Sequence, residues 1–226
     1  ITVQEGGSLT HKSGILKSEK NYTVAVYGNC MPGNNSPVQS KASIEGGYQI
    51  GQEGGPGVFG NGAQLDVSGG VIVGLDNSPV SGNGTVTNTN DYSGTVVNLT
   101  GGTLIGHIVT NGYIACGVYH PQSGELNISD DVVIYADGGV GVLMRAGNAN
   151  ITGGTIIATG TASGGVGDKD INVPSSGVVY DVAHTPYPGL QDSHHVTISG
   201  NANVSSDSTV DALKIMQNEN GNVRAD

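Results

Sequence analysis

Tryptophan is absent from this chain of 226 residues, phenylalanine occurs once, and charged residues make up only 12%. Helix-forming residues are scarce as well, so neither a helical bundle nor a charge-rich disordered segment fits the composition. Lysine and arginine together number 8 against 19 aspartates and glutamates, for a formal net charge of −11. Phosphate binding needs basic side chains on the contact face, and this balance disfavours nucleic acid and anionic membranes as partners. No apolar run approaches the roughly 20 residues that span a bilayer, so membrane insertion is not expected. The two cysteines, Cys30 and Cys116, stand far apart and outside any metal-ligand spacing. No phosphate-binding loop, zinc signature or nucleophile elbow occurs, and no metal or cofactor is expected. Ile1 opens directly on patterned sequence without a basic and apolar leader, which points to a processed or excised piece of something longer.

What the chain has instead is 39 glycines among abundant Val, Ile, Thr, Asn and Ser, a mixture suited to short strands and tight corners. One phrase recurs: an apolar residue, Ser or Thr (once Glu), then two small turn residues. Its copies are Ile44-Glu45-Gly46-Gly47, Val67-Ser68-Gly69-Gly70, Leu99-Thr100-Gly101-Gly102, Ile128-Ser129-Asp130-Asp131, Ile151-Thr152-Gly153-Gly154 and Ile198-Ser199-Gly200-Asn201. A weaker copy runs from Val3 to Gly7. A second apolar strand follows each copy, as in Val71-Ile72-Val73, and a third opens on a Gly-Val step at Gly57-Val58, Gly117-Val118, Gly141-Val142 and Gly177-Val178. Alternation in Leu65-Asp66-Val67 and Leu126-Asn127-Ile128 turns the apolar side chains inward.

Such a repeat predicts an all-β right-handed parallel β-helix, a solenoid of about seven coils with three strands per coil, forming a single domain over residues 1–226. The shortest spacings, Ile44 to Val67 and Ile128 to Ile151, are 23 residues. That exceeds the roughly 18 of three hexapeptides, and right-handedness is the usual sense of parallel crossovers. A β-sandwich would also have short, regularly spaced strands, but it explains the repeated phrase less well. Paired glycines suit a sharp bend, and Asp130-Asp131 is the tolerated substitute because Asp also visits positive φ.

Interruptions of the repeat mark the expected working surface. From the third strand to the next phrase the distance is 9 residues for Val58 to Val67 and for Val142 to Ile151, but 20 for Val24 to Ile44 and for Val178 to Ile198. The long loops Gly28 to Ser40 and Ala183 to His195 therefore leave one corner of different coils, and a second corner swells at Thr159 to Ser176. The loop column gathers Tyr27, Tyr92, Tyr119, His120, His184, Tyr187, His194 and His195. Rings edged by amides and carboxylates suit a carbohydrate, whose C–H faces stack while its hydroxyls form hydrogen bonds. The same residues also serve as an ordinary covering of the coil side. The catalytic alternative is a polysaccharide lyase or glycoside hydrolase using Asp168, Asp181 and Asp192 on the enlarged coil 152–198. Asn98, Asn127 and Asn150 head Asn-x-Ser/Thr sequons, which arise because polar residues flank each inward apolar one.

In these repeats the chain resembles the right-handed β-helices of the pectate-lyase-like superfamily, which includes polysaccharide lyases and hydrolases, phage tailspikes and fibres, and bacterial adhesins. The enzyme phrases are missing: only an isolated Asp130-Asp131 and an unrelated Gly106-His107 occur, and Arg145 lacks an Asp cluster in its surroundings. The resemblance therefore implies a non-catalytic extracellular module on a virion or bacterial cell surface. Its expected partner is a cell-surface glycan or a virion or cell-wall protein, with a homotrimer as the habit of phage β-helices.

Overall fold

The computed structural model describes residues 1–28, 39–52, 56–82, 94–107, 116–122, 124–160, 175–181, 195–207 and 211–216. The chain is all-β, and no helix occurs among the described residues. Its strands are β1 (Thr2–Val3), β2 (Ser8–His11), β3 (Ile15–Ser18), β4 (Val24–Tyr27), β5 (Lys41–Ile44), β6 (Tyr48–Gly51) and β7 (Val58–Asn61). There follow β8 (Gln64–Leu75), β9 (Val80–Ser81), β10 (Thr95–His107), β11 (Val118–His120), β12 (Gly124–Ile128), β13 (Val133–Asp137) and β14 (Val142–Met144). The last six are β15 (Asn148–Ile151), β16 (Thr155–Thr159), β17 (Val178–Asp181), β18 (Val196–Ile198), β19 (Asn203–Ser205) and β20 (Leu213–Met216).

These strands make one eight-stranded sheet, in the order β1-β4-β7-β9-β11-β14-β17-β20, and one twelve-stranded sheet. The larger sheet carries two lines of strands. Its first line joins β2, β5, β12, β15 and β18, its second joins β3, β6, β13, β16 and β19, and the long strands β8 and β10 run through both. Pairing is parallel throughout, and the chain visits the eight-stranded sheet, the first line and the second line in that order again and again.

Registers follow the repeated phrase. Ile44 pairs with Val67, Val67 with Leu99, Leu99 with Ile128, Ile128 with Ile151 and Ile151 with Ile198. All but Ile198 are fully buried. They join Val58, Val118, Val142 and Val178 of the smaller sheet, and Ile72, Leu104, Ile134 and Ile156 of the second line, in one hydrophobic cluster. Burying each such side chain stabilises the fold by about 1.5–3 kcal/mol, which makes the period-2 alternation the main source of strand identity.

The paired glycines divide the work of the corner between the two lines. A Cβ on the first of the pair would lie 2.4 Å from the Glu45 carbonyl oxygen at Gly69 and 2.5 Å from that of Ser68 at Gly101. The second supplies the left-handed turn, with φ of 83° at Gly70 and 85° at Gly102. In the Asp130-Asp131 copy the positive φ moves to the first residue, Asp130, at 54°. The expected substitution by Asp therefore holds, with the bend one position earlier. The Gly-Val step has a separate cause. A Cβ on Gly57, Gly117 or Gly141 would sit 2.3–2.5 Å from the Cγ2 of Ile72, Ile134 or Ile156, so these glycines make room for the inward side chains of the second line.

The outer face of the first line is polar. Asp66, Asn98, Asn127 and Asn150 stand in one register column. Asn98 Nδ2 donates to Asp66 Oδ1 at 2.7 Å, Asn127 Nδ2 to Asn98 Oδ1 at 2.9 Å and Asn150 Nδ2 to Asn127 Oδ1 at 3.1 Å. Asp66 closes the column with Lys41 Nζ at 2.5 Å and the Gln64 amide. Desolvation works to raise the Asp66 pKa, but hydrogen bonds from Lys41, Asn98 and Gln64 outweigh it and hold it below the ordinary 3.8.

Candidate functional site

Seven connections run from the eight-stranded sheet to the first line: residues 4–7, 28–40, 62–63, 82–94, 121–123, 145–147 and 182–195. Long and short links thus leave the same corner, as the spacing predicted. The second enlarged corner also holds, with 160–177 joining β16 to β17.

A buried polar network keeps this corner closed where one long link departs. Gln122 Nε2 donates to the Gly60 carbonyl at 2.6 Å and to Asn61 Oδ1 at 2.9 Å, while Gly62 N donates to Thr95 Oγ1 at 2.8 Å. Thr95 Oγ1 also donates to Gln122 Oε1. The Gln122 side chain, which follows β11, thereby reaches past β9 to the end of β7. A Cβ on Gly82 would meet Gln122 Nε2 at 2.0 Å, so the glycine leaves the passage for that side chain. Buried polar groups of this kind must all be paired, and here a side chain supplies bonds that the short strand β9 does not.

On the outer face of the eight-stranded sheet lies a half-buried aromatic cluster. Tyr22 stacks on Phe59 with ring centroids 5.3 Å apart and planes 14° from parallel, and Tyr27 meets Phe59 edge-on at 6.4 Å. The Tyr22 and Tyr27 hydroxyls are 3.1 Å apart. Tyr27 was expected from the loop column; Tyr22 and Phe59 were not. The signal available for Phe59 is its place one residue after Val58, which alternation turns outward.

Farther along the same face, Tyr119 packs against a small buried cluster of Cys116, Val140, Leu143 and Val179. Cys116 carries a free thiol, pushed up to about 12 by burial, so it is no nucleophile at neutral pH. Arg145 Nη1 donates to the Tyr119 hydroxyl at 3.4 Å, and Arg145 Nε lies 3.8 Å from Asp181 Oδ2.

Three residues expected in the loop column lie on strands: Tyr27 ends β4, and Tyr119 and His120 belong to β11. His120 pairs in register with Met144 and is only 3% exposed. Asp181 does follow inward Tyr180 on β17, and it is 1% exposed beside Arg145. Asp168, Asp192, Tyr92, His184, Tyr187, His194 and Cys30 lie outside the described residues. Asp130 and Asp131 are exposed on a groove of about 540 Å³ at the glycine corner, shared with Ser129, Thr152, Thr155 and Asn201. Among the described residues no three His, Cys, Asp or Glu side chains group as metal ligands.

No family model matches the chain, and neither curated proteins nor solved structures return a match.

Proposed function

We propose that the chain is a right-handed parallel β-helix of the pectate-lyase-like kind, acting as a non-catalytic surface module that binds a glycan through the loop corner and the adjoining outer face of the eight-stranded sheet. The fold reading is supported by two wholly parallel sheets visited in a fixed cyclic order, with apolar residues of all three strand positions meeting in one core. Handedness follows the general preference of parallel crossovers.

The observation that carries the functional reading is the cluster Tyr22, Tyr27 and Phe59, half-buried beside the corner from which the 28–40 link departs. Aromatic rings held partly exposed by a rigid sheet offer a sugar a preordered apolar surface, with little side-chain entropy left to lose. Hydrolysis would instead need carboxylates open to substrate, and the described candidate, Asp181, is enclosed. An extracellular setting, on a virion or a bacterial cell, belongs to the same proposal.

Glycan-array binding by the 226-residue chain tests it. Binding should fall at least about tenfold when Tyr27 and Phe59 are both replaced by Ala, and again when the 28–40 and 182–195 links are replaced by tight turns. Unchanged binding after both alterations, or release of products from polysaccharide by the unaltered chain, overturns the reading.

A further inference from the structure

The outer face of the second line differs from every other surface described. Its central register column contains Ile50, Val73, Ile105, Tyr135 and Ile157, each paired with the next across β6, β8, β10, β13 and β16. All five are only partly covered, and none belongs to the buried core or packs as a partly buried neighbour against it. Beside them Val71 and Val133 extend the apolar strip, and Tyr48 and Ile15, 51% and 68% exposed, continue it toward β3. Scattered exposed apolar residues are ordinary; a contiguous strip on a regular sheet is a contact surface.

From this strip we infer that the second line is an interface between two copies of the chain, packed sheet to sheet. Three observations select a second copy as the occupant. First, the strip's composition is aliphatic and mostly β-branched, with one tyrosine in its central column, and such side chains interdigitate with another sheet about 10 Å away better than they stack on sugar rings. Second, charge permits it. The chain carries 19 acidic residues, yet neither the column through Ile105 nor the neighbouring one through Val71 and Val133 holds an acid from β3 to β19. The next column holds an acid, Asp137, faced by His107 Nδ1 at 2.7 Å, so the like-charge repulsion of a −11 chain is small where the copies would touch. Lys17, in the central column, sits at one end of the strip, and Ser205 at the other. A two-fold arrangement with the stacks running in opposite directions sets Lys17 against this uncharged end.

Third, the area suffices. From β3 to β19 the strip measures about 30 Å by about 16 Å, close to 500 Å² per copy and about 1,000 Å² for the pair. That is the lower limit of specific interfaces, and it points to a weak, concentration-dependent association. This inference does not rest on the glycan reading, since it uses a different face.

Sedimentation velocity on the 226-residue chain from about 1 to about 200 μM tests it. The expected result is a monomer–dimer equilibrium that high salt leaves intact, because apolar burial and not ion pairing drives it. Ile105→Lys should weaken dimerisation at least about tenfold, and the milder pair Ile105→Thr with Ile157→Thr keeps the test open if lysine impairs folding. Thr197→Lys, on the polar outer face of the first line, should leave it unchanged. A wild-type chain that is monomeric throughout, dimers indifferent to the Ile105 and Ile157 changes, or equal loss with Thr197→Lys each overturns the inference. So does a monomer that instead co-sediments with crystalline polysaccharide through the same face.

Discussion

The two lines of the twelve-stranded sheet share strands β8 and β10 and the same parallel spacing, yet their outer faces solve the problem of solvent differently. On the first line, the outward residues are Asp66, Asn98, Asn127 and Asn150, whose amides satisfy one another from strand to strand. On the second, the outward column is Ile50, Val73, Ile105, Tyr135 and Ile157, which retains apolar surface in water. One backbone thus carries a finished surface and an unfinished one, and only the outward side chains distinguish them. Bonds spent along the sheet leave little for a partner; apolar area left open is what a partner can cover.

The largest perturbation strikes the corner that both faces share. Gly102→Ala places a Cβ 2.8 Å from the Gly69 and Gly70 backbone at a φ of 85°, and it should destabilise the chain by about 2–4 kcal/mol in urea unfolding. A loss no greater than that of a surface substitution would mean that the corner is not held by its glycines. Next comes Asn127→Ala, which leaves the Asn98 oxygen without its Asn127 donor and should cost about 1 kcal/mol. By contrast Ile105→Thr on the second line should change monomer stability by no more than about 0.5 kcal/mol. Equal costs for the two changes would erase the distinction between the faces.

The smallest effect is one of pH. Because Asp66 titrates below its ordinary value in the fold, its contribution is present above the unfolded value of about 3.9 and is lost as the pH falls through the folded one. Asp66→Asn should therefore flatten the decline in stability below about pH 4 by less than about 1 kcal/mol, because the Lys41 pair is partly exposed. A decline identical in both proteins would place the acid sensitivity elsewhere.

Much of the strand order was legible in the sequence because the first line alternates cleanly: Leu65-Asp66-Val67 can face the core in only one way. The second line does not alternate. Val71-Ile72-Val73 is apolar at every position, a pattern that suits a strand covered on both sides as well as one covered on a single side. Pairing in space, with Val71 and Val73 partly exposed and Ile72 buried, supplies what spacing lacks. The amide column was visible only as sequons, since nothing in Asn98, Asn127 or Asn150 alone reveals that the residues fall in one register. His120 and Asp181 illustrate the same point at the candidate site. Both are named from their place in the chain, while the neighbours beside them, Met144 and Arg145, come from other repeats.

The amide column also has a direction. Every Nδ2 points to the preceding repeat's oxygen, and the series ends on a carboxylate that only accepts. A duplicated repeat bearing Asn can be inserted between Asn98 and Asn127 with bonds remade on both sides. The same unit placed ahead of Asp66 separates the carboxylate from Lys41. Growth of the array by internal duplication therefore keeps every amide bond on one side of Asp66 and gives up the Lys41 pair on the other.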